Sequence, residues 1–276
     1  MAPRPDAPAP DLAGWSRLFE RSDWPVLGRS AEALEELRER EDDVDAHLIA
    51  ETFSGDPLMT LKVLAYAATH RPSRLVTDTE TMTATVLMMG IGPFFRAFGP
   101  QRSIEEHLAD QPEALEGLRS VVDRSWRAAN FALGFAVHRR DPDAAVIQEA
   151  ALLHDFAEML LWCHRPALAL RIRDAQRADA TLRSSAIQQQ VLGVELADLQ
   201  QALLKAWRLP DLLVQIMDDR HATHANVRSV LLAVRLARHL ARGWDNAALP
   251  DDVADIADLL NLSRAATLRL LRSIDD

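Results

Sequence analysis

Apolar residues recur along most of the chain at intervals of three and four positions, which is the spacing of one face of an α-helix. Between Asp56 and His70, for example, Leu58, Leu61 and Leu64 follow this spacing. Such segments are bounded by prolines, glycines and capping residues, and no run alternates apolar and polar positions as a half-buried strand would. The sequence therefore predicts an all-α fold.

The main predicted helices span, in order, residues 12–21, 31–40, 46–53, 57–70, 77–89, 112–138, 141–163, 166–178, 181–192, 194–207, 211–221 and 227–244, with two more starting at Pro250 and Ser263. Ser30 is expected to cap the second helix, and Ser103 with Glu106 has the spacing of a capping box. The first helix is expected to dock on the body, after a proline-rich and disordered start. The helix over 141–163 is expected to continue without a break.

The amino-acid composition supports an all-α fold and indicates the cellular compartment of the protein. Alanine, leucine and arginine dominate the 276 residues, whereas tyrosine, which strands favour, occurs once. Cys163 is the only cysteine, so an internal disulfide is impossible and a reducing compartment is indicated. No signal-peptide pattern opens the sequence and no apolar run is long enough to span a bilayer. We expect a cytoplasmic protein.

The charge balance narrows the choice of partners. The chain carries 41 acidic and 31 basic side chains, for a formal net charge of −10. Such a balance disfavours broad attraction to nucleic acid or to anionic membranes. A protein partner or a small ligand is the better expectation.

The most informative stretch is EAALLHDFAEMLLW, residues 149–162, in which His154 and Asp155 interrupt an apolar helical run. A histidine next to an aspartate can bind a metal ion, but only when further nitrogen or oxygen ligands converge on it. Glu158 lies one helical turn after His154 and could join such a cluster, although a glutamate that is solvated or paired with an arginine is the commoner outcome. His221 and His224, three residues apart, form a second pair with ligand-like spacing, for which packing or surface exposure is the alternative.

Six segments together resemble the HDOD domain, the HD-related output domain of bacterial signalling proteins. Residues 56–64, DPLMTLKVL, resemble its DP-x-L-T-x-x-L-L signature. The other segments are DWPVL at 23–27, TATVLMMG at 83–90, AALLHD at 150–155, LG at 192–193 and WRLP at 207–210. The resemblance implies an N-terminal helical bundle packed on an HD-like bundle. It suggests a tail at 1–22, a first subdomain at 23–100 and an HD-like subdomain at 101–276.

The resemblance also implies a degenerate site. The positions where metal-dependent HD enzymes carry further ligands correspond here to Arg124, Leu196 and Arg238. An arginine about 4 Å from a divalent ion would cost roughly 8 kcal/mol at an effective dielectric near 20. We therefore expect no metal, no other cofactor and no catalytic residue, with Asp155 accepting from one of the arginines and His154 bonding a backbone carbonyl. The expected cleft, which could also take an anion, comprises Arg124, His154, Asp155, Glu158, Leu196 and Arg238.

Three functions follow as hypotheses. The first is a non-catalytic bacterial signal-transduction module that binds a protein or a small ligand. For an apolar cluster, Met88, Met89, Phe94 and Phe95, core packing is the default, and any exposed part of it is the candidate partner surface. The second is a metal-dependent phosphohydrolase that uses His154, Asp155, Glu158 and His221. The third is a DNA-binding regulator that uses the C-terminal helix pair at 255–272, with Arg269 on its second helix.

Overall fold

The computed structural model describes residues 10–70, 79–179 and 181–275, and the regular structure of these residues is helical. The predicted all-α fold is confirmed. The helices are α1 (Leu12–Glu20), α2 (Gly28–Glu39), α3 (Ala46–Phe53), α4 (Pro57–Thr69), α5 (Met82–Met89), α6 (Ile91–Ala97), α7 (Ile104–His107), α8 (Pro112–Arg139), α9 (Ala144–Leu153), α10 (Phe156–His164), α11 (Pro166–Ala178), α12 (Ser184–Leu192), α13 (Leu196–Ala206), α14 (Asp211–Ile216), α15 (Ala225–Leu240), α16 (Leu249–Leu260) and α17 (Arg264–Asp275). Short 3₁₀ turns cover Glu41–Asp43 and Asp219–His221.

Local sequence explains many of the helix starts. The predicted capping box is confirmed, because Ser103 and Glu106 exchange side-chain and backbone hydrogen bonds at the start of α7. The predicted cap at Ser30 is wrong, since α2 begins at Gly28 and Ser30 lies buried in its first turn. The reason is a tertiary contact: the backbone N–H of Leu27 donates to the Asp56 carboxylate at 2.8 Å and fixes the chain before Ser30.

Asp56 organises the start of α4. Its carboxylate accepts from the backbone N–H groups of Leu58 at 2.9 Å and Met59 at 3.0 Å, so that it caps the helix with Pro57 at the first position. Burial raises the pKa of Asp56, although these hydrogen bonds and one from Ser30 oppose the rise. The aspartate-proline pair of the sequence motif therefore has a structural role, which is to start α4.

Apolar side chains form two clusters that share α4. The larger surrounds α8 and includes Leu58, Leu61 and Leu64 from α4, whereas the smaller lies within 26–98 and includes Met59 and Val63 from the same helix. Helix α4 is thus buried on two opposite sides. This is possible because its apolar residues are distributed around the whole helix. The proposed boundaries of the tail and of the two subdomains stay a prediction.

The first helix docks as expected. Trp15 and Phe19 of α1 are buried in the larger cluster, and the Trp15 indole N–H donates to the Leu192 carbonyl at 3.0 Å. The predicted disorder before α1 falls on residues 1–9, which lie outside the described residues, as does the predicted helix start at Thr77.

Candidate functional site

The helix expected over 141–163 is broken at the doublet. Helix α9 ends at Leu153, α10 begins at Phe156, and His154 and Asp155 form the step between them. The expectation of an unbroken helix is wrong. Successive side chains on a continuous helix diverge by about 100°, whereas here His154 Nδ1 lies 3.2 Å from Asp155 Oδ1. The break lets both side chains enter one polar cluster.

Asp155 is buried between two arginines from different helices. From α8, Arg124 donates to Oδ2 through Nε at 3.1 Å and Nη2 at 2.8 Å. From α15, Arg238 donates to Oδ1 through Nη2 at 2.6 Å. Burial alone would raise the pKa of Asp155, but the positive charges of Arg238 and Arg124 hold it well below its usual value. The predicted contact with one of the arginines is made with both.

His154 is held by two carboxylates. Its Nε2 lies 3.0 Å from Asp219 Oδ1, and its Nδ1 faces Asp155. Burial would lower the pKa of His154, but the hydrogen bonds to Asp155 and Asp219 raise it to about 9. The expected bond to a backbone carbonyl is wrong, and Asp219 is a site residue that the sequence reasoning missed. Its only sequence signal was an aspartate pair at a helix junction.

Glu158 completes the network. Its Oε2 accepts from Arg124 Nη2 at 2.9 Å, and Oε1 lies 3.5 Å from the indole nitrogen of Trp162. Arg124 thus bridges Asp155 and Glu158, and their attraction raises its pKa against the opposing effect of burial. A carboxylate paired with an arginine was the expected alternative to a metal ligand at this position.

A cavity of about 580 Å³ lies beside this network. Arg124, Glu158, Leu196 and Arg238 line it, so the structure brings these predicted site residues together, whereas His154 and Asp155 do not line it. Arg173 and Arg177 of α11 and Arg242, in the turn after α15, also line the cavity. Those arginines were not anticipated, because sequence spacing alone does not bring α11 next to α8 and α15.

The other candidate metal ligands, His221 and His224, lie outside this polar network. The His221 side chain is 61% exposed and pairs with Asp218 at 3.2 Å, and its ring centre is 6.4 Å from that of His224. Among residues 10–70, 79–179 and 181–275, no three histidine, cysteine, aspartate or glutamate side chains are grouped so that they could hold a metal ion.

The apolar candidate surface is largely core. Phe94 and Phe95 are buried in the smaller apolar cluster, so their assignment to a partner surface is wrong. Ring contacts explain this, since Phe94 packs against Phe53 and Phe98. Met88 and Met89 are half-buried.

The C-terminal helix pair is packed on one side. Leu271 of α17 is buried, and Arg127 of α8 forms an ion pair with Asp275. Arg272 stacks over the Trp244 ring at 4.7 Å, while Arg269 is exposed. DNA binding through this helix stays a prediction. In the described residues, no helix combines the length and apolar character needed to cross a membrane.

Comparisons with known proteins agree with this fold. The chain aligns with MmoQ, a response regulator from Methylococcus capsulatus str. Bath, at 19% identity and a TM-score of 0.69 over 91% of this chain and 98% of that one. It aligns with a virulence factor from Campylobacter jejuni at 17% identity and a TM-score of 0.65, over 96% of this chain and 98% of that one. These likenesses show the fold.

A more distant match is a protein from Shewanella amazonensis that is named, provisionally, a phosphohydrolase. It has 17% identity and a TM-score of 0.47 over 97% of this chain and 95% of that one. No curated protein matches the sequence. The sequence profile described as HDOD domain matches residues 25–223, which is more than half of the 276 residues. The chain belongs to the HDOD domain family.

Proposed function

We propose that this protein is a non-catalytic regulatory module of bacterial signal transduction, which acts in the cytoplasm by binding a protein partner or a small ligand. The observation that carries the proposal is the Asp155 carboxylate, which is engaged on one oxygen by Arg124 and on the other by Arg238. Both oxygens are therefore already used by permanent cations.

The donor set does not suit a divalent metal. A metal ion would have to displace or approach two guanidinium groups, at a cost of several kcal/mol each. His154 adds to the mismatch, because an imidazole with a pKa of about 9 is protonated at neutral pH and offers no lone pair. The residues of this site therefore do not fit a catalytic divalent metal ion.

The family membership and one relative support a signalling role. The similar protein from M. capsulatus is named a response regulator, and the HDOD profile matches residues 25–223 of this chain. The exposed surface and the cavity beside Arg238 offer places for a partner or ligand to bind.

A hydrolysis assay tests the proposal. We would incubate the protein with Mn²⁺, Fe²⁺ or Zn²⁺ and measure p-nitrophenol release from p-nitrophenyl phosphate and from bis(p-nitrophenyl) phosphate. The control is Asp155→Asn, which would abolish genuine HD-type activity. We expect equal background rates for the two proteins. Metal-dependent turnover by the wild type that the variant lacks would replace the proposal with a phosphohydrolase.

A further inference from the structure

We propose that the cavity beside Arg238 binds a small phosphorylated organic molecule. This inference rests on the proposed function, because it supplies the ligand of a non-catalytic binding module. Its basis is a concentration of arginines in a chain whose formal net charge is −10.

Five arginines and two glutamates line the cavity, and the arginines come from three helices and from the turn after α15. Arg124 is on α8, Arg173 and Arg177 are on α11, and Arg238 is on α15, whereas Arg242 lies in the turn that follows α15. A guanidinium presents several N–H donors in one plane and matches the oxygens of a phosphate. Arginines that converge from separate helices can therefore surround one phosphate group.

The five arginines differ in whether they already pair with carboxylates of the protein. Arg124 is only 17% exposed and bridges two carboxylates, so it forms the base of the site. Arg173 pairs with Glu113 and Asp174, whose side chains are 72% and 60% exposed. Such exposed pairs contribute little and are easily exchanged.

Three arginines can meet an incoming anion. The Arg238 side chain is 48% exposed although it contacts Asp155. Arg177 and Arg242 are exposed, and no carboxylate among the described residues lies within ion-pairing distance of either. We assign the phosphate contacts to Arg177, Arg238 and Arg242.

The rest of the cavity lining suits the organic part of such a ligand. At about 580 Å³ the cavity is far larger than an inorganic phosphate needs, and it falls within the usual range for small-molecule sites, roughly 300–1,000 Å³. Leu196, Trp162 and Ile172 supply apolar surface. The Gln188 amide oxygen accepts from the backbone N–H of Leu196 at 3.0 Å, which orients its amide group at the cavity wall.

Leu196 has a distinct part in this arrangement. The resemblance to HD enzymes puts a metal-ligand position there, and the side chain instead contributes to the apolar wall. The same positions that exclude a cation, Arg124, Leu196 and Arg238, thus create a surface for an anion with an apolar portion.

Isothermal titration calorimetry at low ionic strength tests the inference. The probes are AMP, ATP, glucose 6-phosphate and pyrophosphate, with adenosine as the uncharged comparison. We expect at least one organic phosphate to bind and adenosine not to bind. Each of Arg177→Gln and Arg242→Gln should weaken that binding by roughly tenfold or more.

The matched control is Arg171→Gln, on the exposed part of α11 and outside the cavity lining, which should leave the affinity unchanged. Absence of binding by every organic phosphate at millimolar concentration would overturn the inference, and so would binding that neither cavity variant weakens. Phosphate release is measured in the same samples. Hydrolysis with intact binding would refute the non-catalytic function and leave the binding site standing, whereas no binding would refute only the site.

Discussion

Arg124 and Arg238 donate to opposite oxygens of the Asp155 carboxylate, at 2.8 and 2.6 Å, although the two arginines are more than a hundred residues apart in the sequence. This relationship ties α8 and α15 to the step between α9 and α10. It puts fixed cations beside the carboxylate that a metal ion would need as a ligand.

Removing the shared carboxylate should destabilise the protein strongly. Asp155→Ala would leave the cationic groups of Arg124, Arg238 and His154 close together without their common partner. Breaking a buried ion pair from one side typically costs about 3–5 kcal/mol, and we expect a loss of that size in the free energy of unfolding by urea at pH 7. Asp258→Ala, at an exposed position of α16, serves as the control and should change little. Equal effects of the two variants would mean that the network does not stabilise the fold.

The contribution of His154 to the stability of the fold should be lost at alkaline pH. Because the pKa of His154 is raised to about 9 in the fold, from about 6.5 in an unfolded chain, its contribution is fully present below pH 6.5 and lost as pH rises through 9. Asp219 is partly exposed, so the contribution is at most about 3 kcal/mol. The stability difference between wild type and His154→Gln should therefore shrink between about pH 6.5 and 9.

Nuclear magnetic resonance offers a direct check on the same group. The His154 imidazole should titrate with a midpoint near pH 9, well above the ordinary pKa of a histidine. A titration of His154 near or below its ordinary value would contradict the account of its two carboxylate partners.

Close packing behind the cavity gives a third prediction. A Cβ at Gly117 would overlap the Trp162 ring, which lines the cavity. Gly117→Ala should destabilise the fold by about 1–3 kcal/mol, as overpacking does. At Gly99 an added Cβ meets nothing within 4 Å, so Gly99→Ala should be nearly neutral in the same thermal or urea denaturation. A neutral Gly117→Ala would show that Trp162 can move aside.

Removing two helix-capping aspartates should reduce stability by different amounts, because one cap is buried and the other is exposed. Asp56 accepts from three backbone N–H groups, of Leu27, Leu58 and Met59, whereas Asp45 is exposed and accepts only from Leu48. Asp56→Ala should cost about 3 kcal/mol or more, since it leaves buried donors unpaired. Asp45→Ala should cost about 1 kcal/mol, the usual loss for an exposed cap. If both variants lost the same stability, burial would not be the deciding factor.

Sequence periodicity was sufficient for the helical class and for most helix positions, because apolar spacing and capping residues act locally. The start of α2 was misplaced because the contact from Leu27 to Asp56 is tertiary and has no local signature. The break at His154 was missed for the same reason, since an apolar run around the doublet favours a continuous helix and the polar partners come from elsewhere.

The candidate site was only partly predictable. Motif order was sufficient to predict that Arg124 or Arg238 would contact Asp155, and both do. The partner of His154, Asp219, and the cavity arginine Arg177 depend on how distant helices pack, which spacing does not encode. Phe94 and Phe95 lie in the core, which is the default for an apolar cluster, and sequence spacing could not show which of its members would be exposed.

The most direct test of the account is the metal content of the wild-type protein. It would be incubated with Mn²⁺, Fe²⁺ and Zn²⁺ in turn, desalted and measured by inductively coupled plasma mass spectrometry beside Asp155→Asn. The account predicts far less than one ion per chain, at the same level in both proteins, because Arg124 and Arg238 already engage the Asp155 carboxylate. Retention of about one ion per chain by the wild type, lost in Asp155→Asn, would contradict it.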